Sequence, residues 1–260
     1  MEGKNCYLLD MDGTIYLGNE LIDGAKEFLD KIKSNNKRYI FLTNNSSKNK
    51  NSYVEKLSKM GIKASPDEIF TSGEATIYWL KNRNKKAKIF LLGTKALEES
   101  FIEAGFELIK ERDQKIDYVV LGFDTTLTYE KLWIACDYIL SGVEYVATHP
   151  DFVCPLEGGK CMPDTGSMIA LIKAATGKEP IVIGKPNRYI IDAILAKYKL
   201  KKDELVMVGD RLYTDIRTGL DNGVTSALVM SGETTKDMLK DTPFKPDYIF
   251  NSVKDMIKEI

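Results

Sequence analysis

Nine short apolar runs punctuate this chain: CYLLDM, RYIFLTN, KIFLLG, DYVVLGF, EYVAT, PIVIG, ELVMVG, TSALVM and DYIF. Between most of them lie longer amphipathic segments with helical periodicity, over residues 24–34, 48–60, 96–104, 129–140, 165–175, 188–198 and 214–222. Strands that alternate with helices need crossover connections. The pattern therefore predicts an α/β fold with a doubly wound, mostly parallel sheet. In such sheets the chemistry gathers beyond the carboxyl ends of the strands.

That rule sorts the runs. Several end in groups suited to reaction: Asp10, then Thr43-Asn44-Asn45, Lys185 just beyond PIVIG, and Asp210 after VMVG. The middle runs end in Gly93, Gly122-Phe123 or His149. Residues 1–77 and 180–260 are therefore expected to form one catalytic domain, and 78–179 an inserted second α/β domain. The formal net charge of −1 supplies no global basic field for nucleic acid or anionic lipid. The basic stretch KNRNKKAK reads as solvated surface, and no apolar run approaches a membrane span. Four cysteines without a metal-type pair suit reduced thiols, hence a cytoplasmic protein.

Asp10 and Asp12 are one residue apart at the end of a run that reads as buried. Like charges so close repel unless a cation lies between them or one holds a proton. A divalent cation such as Mg²⁺ takes hard oxygen ligands and needs only one or two carboxylates. Asp210 and Asp215, from a distant segment, would add to the same site. The other strand ends complement it: a hydroxyl from Thr43, amides from Asn44 and Asn45, and a point charge from Lys185, all suited to phosphoryl oxygens. Asp10 would act as nucleophile and Asp12 as general acid and base. Arg211, beside Asp210, fits a phosphate contact or an ion pair equally well, and Asn187 reads as a helix cap.

DMDGT, TNN, GKP and GDRLYTD, in this order, resemble the four motifs of the haloacid dehalogenase (HAD) superfamily of phosphatases. The inserted segment is similar to the large α/β cap of its NagD-type, nitrophenylphosphatase-like branch. The resemblance implies a Rossmann-like core. It implies Mg²⁺ held by Asp10, the Asp12 main-chain carbonyl and Asp210, with Asp215 in support, and a phosphoryl group held by Thr43 and Lys185. The expected reaction is hydrolysis of small phosphomonoesters, such as nucleoside monophosphates and sugar or polyol phosphates, with nitrophenyl phosphate as an artificial substrate. A phosphotransferase or mutase, or a non-catalytic phosphate-binding module, stays open, as does a homodimer. The related cap motif reads TNPD, whereas this chain has THPD. His149 and Asp151 are thus candidates for substrate contact, with a structural role for His149 equally open.

Overall fold

A computed structural model describes residue 1 and residues 3–260. The chain divides into two compact units. The first comprises Met1–Thr43, Lys50–Phe70 and Lys185–Ile260, and the second Asn44–Asn49 and Thr71–Gly184.

In the first unit, the described residues form a six-stranded sheet. Its spatial order is Tyr248–Phe250, Thr225–Val229, Leu205–Gly209, Cys6–Leu9, Arg38–Thr43 and Ile69–Thr71. The four central strands pair in parallel. All four residues of Cys6–Leu9 and all five of Leu205–Gly209 are buried, as expected of strands covered on both faces. Side chains alternate across the sheet. Tyr7, Leu9, Phe41, Val206 and Val208 meet Phe28, Ile32 and Leu57 on one side. Leu228 meets Leu212 and Ile216 in a separate cluster. Burying each such side chain contributes about 1.5–3 kcal/mol.

The second unit holds a parallel sheet in the order Ile181–Val182, Glu144–Ala147, Tyr118–Leu121, Lys88–Leu92, Glu107–Leu108. Helices Tyr129–Leu140 and Thr165–Thr176 pack on it through Ile134, Ile139 and Ile172. An antiparallel hairpin, Val153–Pro155 with Cys161–Pro163, extends from it. Among the described residues, no helix is long and apolar enough to cross a membrane.

Two details differ from the sequence reading. A border at 77/78 would cut helix Ser72–Arg83, which lies wholly in the second unit. Thr71 and Glu74 close a capping box at its start, each side chain accepting the other's backbone N–H. Residues 180–184 also belong to the second unit, because Ile183 and Gly184 donate their N–H groups to Ala147 O and Thr148 O and continue the ladder there.

Candidate active site

Strands Cys6–Leu9 and Leu205–Gly209 run parallel with Leu9 opposite Val208. Asp10 and Asp210 therefore leave neighbouring strands at the same end of the sheet. After Asp210 the chain winds through a π-helical turn, Leu212–Ile216, before the helix Arg217–Asn222. The sequence predicted one regular helix over 214–222. The wider turn arises because Arg211 O accepts from both Asp215 N–H and Ile216 N–H, at 2.9 and 3.1 Å. It aims Asp215 back at the strand end. A Cβ on Gly209 would collide with the Asp215 carboxylate, so the backbone must be bare there. Gly209→Ala is expected to cost about 1–3 kcal/mol from overpacking and to depress turnover. Urea unfolding and steady-state rates check this, and wild-type values in both would refute the close packing.

Lys185 enters from the start of the last segment of the first unit and is 2 % exposed. Its ammonium donates to Asp10 Oδ1 at 2.6 Å, Asp215 Oδ1 at 2.7 Å and Leu42 O at 3.3 Å. Ligand atoms of Asp10, Asp210 and Asp215 all lie within 4.8 Å of one another. Two carboxylates thus hold one buried ammonium, and the third lies beside them. Burial and the neighbouring Asp10 and Asp215 push the Asp210 pKa up to about 8. Asp10 is pushed up to about 6, chiefly by burial, with Lys185 opposing and Asp215 reinforcing the rise. Burial works against the Lys185 charge, but Asp10 and Asp215 outweigh it and raise its pKa.

The donor set fits a hard divalent cation. Asp210 Oδ1 is buried and finds no hydrogen-bond partner among the described residues, a costly condition for a carboxylate oxygen. Its Oδ2 accepts the Glu233 N–H at 2.6 Å. Asp215 differs, with Oδ1 on Lys185 and Oδ2 on Arg211 N–H at 3.1 Å. Both of its oxygens are engaged by the protein, which suits a supporting place better than a direct ligand.

Asp12 reaches solvent, yet desolvation by the surrounding protein raises its pKa against the nearby charges of Lys56 and Arg211. Gly13, at φ +83°, makes the turn after it, and a Cβ there would strike Asp210. Thr43, the last residue of its strand, is buried. Arg211 pairs with Glu233 through Nε at 2.9 Å. Asn187 occupies the cap position of helix Arg188–Tyr198, but its side chain makes no capping hydrogen bond.

Segment 231–234, which belongs to none of the four motifs, also reaches the site. Ser231 Oγ donates to Gly13 O at 2.7 Å, Glu233 N–H holds Asp210, and Thr234 Oγ1 donates to Asp210 O. The run TSALVM is another strand whose carboxyl end leads to SGETT, so the strand-end rule already pointed there.

The remaining candidates lie in the second unit. Asn44 Nδ2 donates to both oxygens of Asp151, at 3.3 and 3.2 Å. Asn45 Oδ1 accepts from Ser47 N–H and Ser47 Oγ, closing a tight turn. His149 is fully buried, and both ring nitrogens are engaged: Nδ1 with Thr148 Oγ1 and Nε2 with Asp164 Oδ1, each at 2.9 Å.

Comparison with known proteins meets this arrangement. Residues 7–107 match the family model described as haloacid dehalogenase-like hydrolase, and residues 182–256 match a HAD-hydrolase-like model. An acid sugar phosphatase of Staphylococcus haemolyticus is 36 % identical over 100 % of this chain and 98 % of its own. The chain belongs to the haloacid dehalogenase-like hydrolases. Among solved structures, the 4-nitrophenylphosphatase of Thermotoga maritima superposes with a TM-score of 0.94 at 44 % identity, covering 98 % of this chain and 97 % of that one. A glycerol phosphate phosphatase of Mycobacterium tuberculosis, in complex with magnesium, gives a TM-score of 0.91 at 28 % identity, covering 98 % of this chain and 77 % of that one. Within the HAD hydrolases, then, this chain is a phosphatase of the NagD and 4-nitrophenylphosphatase type. The four motifs that carried the resemblance fall at Asp10–Asp12, Thr43, Lys185 and Asp210–Asp215. All of these positions lie in the first unit.

Proposed function

We propose that this HAD hydrolase cleaves small phosphomonoesters, sugar and polyol phosphates among them, by two in-line displacements at Asp10. The observation that carries the reading is the buried Lys185 ammonium bridging Asp10 and Asp215, with Asp210 beside them. An Asp10 carboxylate oxygen attacks phosphorus, and the ester oxygen leaves with a proton from Asp12. Water then attacks the phosphorus of the aspartyl phosphate, and Asp12 takes its proton. Inorganic phosphate departs and the Asp10 carboxylate is restored. The raised pKa of Asp12 suits a group that must hold a proton in one step and accept one in the next. Lys185 and Thr43 receive the phosphoryl oxygens, and the Asn44–Asn45 turn follows directly in the chain.

Asp10, Asp210 and the Asp12 main-chain carbonyl would hold Mg²⁺, with Asp215 behind them. When bound, the cation offsets the carboxylate charge and that of the incoming phosphoryl group. The named substrates of the relatives, sugar phosphate, nitrophenyl phosphate and glycerol phosphate, support small esters.

A panel of phosphorylated metabolites, assayed with Mg²⁺ and again after chelation, tests the reading. Turnover of sugar or polyol phosphates is expected only with the metal, and equal rates after chelation would refute it. Metal binding has its own signature. In the metal-free protein, burial and the neighbouring Asp10 and Asp215 favour the protonated Asp210 carboxyl. Calorimetric Mg²⁺ titration at pH 7 should therefore release about one proton per site, read from the buffer dependence of the heat. Release should vanish above pH 9.

A further inference from the structure

The turn that follows Thr43 belongs to the second unit, although Thr43 itself belongs to the first. Three strand ends of the second sheet grip it. Beyond Lys88–Leu92, Thr94 Oγ1 donates to Ser47 O at 2.8 Å. Beyond Tyr118–Leu121, the Phe123 N–H donates to Ser46 Oγ at 2.9 Å. Beyond Glu144–Ala147, Thr148 Oγ1 meets Ser46 Oγ at 3.0 Å. The fit is close: a Cβ on Gly184 would lie 2.6 Å from both Asn44 Oδ1 and Thr148 O.

The network continues past Thr148 to a buried histidine and the cap of a helix. Asp164 as a carboxylate only accepts, so His149 Nε2 carries the hydrogen in their 2.9 Å bond. His149 Nδ1 shares a hydrogen bond with Thr148 Oγ1 at 2.9 Å, and Thr148 Oγ1 shares the next with Ser46 Oγ, which also accepts the Phe123 N–H. Asp164 is in turn fixed as the cap of helix Thr165–Thr176, accepting the Thr165 N–H at 2.6 Å. Ser46, Thr148 and His149 have no exposure at all, so water cannot replace a lost partner without rearrangement.

We propose that His149 is a positioning residue for the phosphoryl end of the substrate. Through Thr148 and Ser46 it sets the Asn44–Ser47 turn, and through the intervening peptide it sets Thr43. This extends the phosphatase reading above and rests on it. His149 reaches the reaction through the chain and not by touching the leaving group. Its effect is therefore the same for every ester.

Thr148→Val deletes the middle hydroxyl at nearly constant shape, and Thr148→Ser restores it. The readouts are kcat and KM for nitrophenyl phosphate and glycerol phosphate, inhibition by inorganic phosphate, and Tm. Thr148→Val is expected to lower kcat/KM by about tenfold or more on both esters alike. It should weaken phosphate inhibition comparably, and Thr148→Ser should recover most of both. Ser46→Ala, which breaks the same chain one bond earlier, is read the same way should Thr148→Val not fold. Unchanged phosphate inhibition would overturn the proposal, as would a loss confined to one ester. So would a Thr148→Ser variant as impaired as Thr148→Val, since packing alone would then be at stake. A lowered Tm with wild-type kinetics overturns it too. A wild-type protein that binds no inorganic phosphate overturns the phosphatase reading, and this proposal with it.

Discussion

Asp10→Asn is expected to lose turnover by about 10⁴-fold or more and to gain thermal stability in the absence of metal. The first effect follows from chemistry, because a neutral amide is too poor a nucleophile to displace an alkoxide from phosphorus. The second follows from the charge balance around Lys185. Asp10, Asp210 and Asp215 have ligand atoms within 4.8 Å of each other, and one buried ammonium binds Asp10 and Asp215. Burial and like-charge repulsion already push Asp10 up to about 6 and Asp210 up to about 8. Replacing one acid by an amide of nearly equal size keeps the packing and leaves Lys185 its bond to Asp215. Relief of about 1 kcal/mol would raise Tm by roughly 2–4 °C for a chain of this size. Thermal melts with a chelator read that gain, and melts with Mg²⁺ should show a smaller metal-induced rise than wild type. Retained turnover would place the nucleophile elsewhere. A fall of several degrees without metal would mean that Asp10 is a net stabilising partner of Lys185 and not a surplus charge.

Much of this site was legible as runs of apolar residues that stop at a reactive one. Asp10 and Asp210 each directly follow a buried strand, so a linear pattern sufficed to pick out two acids that the fold brings together. Lys185 was found by the same rule for a different physical reason. The run before it, PIVIG, pairs with Glu144–Ala147 in the second unit, and Lys185 is the first residue of the segment that returns to the first. The inner border was missed because helix Ser72–Arg83 is only weakly amphipathic, although its capping residues Thr71 and Glu74 were in plain view. What no local pattern could supply was partnership across the chain. Asn44 and Asp151 are 107 residues apart, and Ser46 and Thr148 are 102 apart. Serine, threonine and histidine at such separations carry no periodicity and no spacing rule. A lone histidine was therefore as consistent with recognition as with a closed internal network.

Lys185→Met should be the most destabilising single change at this site, and its cost should depend on pH. Methionine fills nearly the same volume, so packing contributes little. The buried acids, however, lose the ammonium that holds Asp10 and Asp215 at 2.6 and 2.7 Å. Removing one partner of a buried ion pair typically costs about 3–5 kcal/mol. The sign with pH follows from linkage. Carboxyl groups whose folded pKa lies above the unfolded value bind more protons when folded, so stability falls as pH rises through the folded pKa. In the wild-type protein that fall begins near the ordinary carboxyl value and is complete near pH 6 for Asp10 and near pH 8 for Asp210, and without Lys185 the Asp10 value moves higher still. The penalty is therefore expected to be largest at pH 8 and to shrink toward pH 5, where protonated Asp10 and Asp210 need less counter-charge. Urea unfolding of both proteins with a chelator at pH 5, 6, 7 and 8 measures it. A penalty independent of pH would show that Lys185 acts here as a hydrocarbon filler, which would remove the electrostatic basis for treating this cluster as a phosphoryl site.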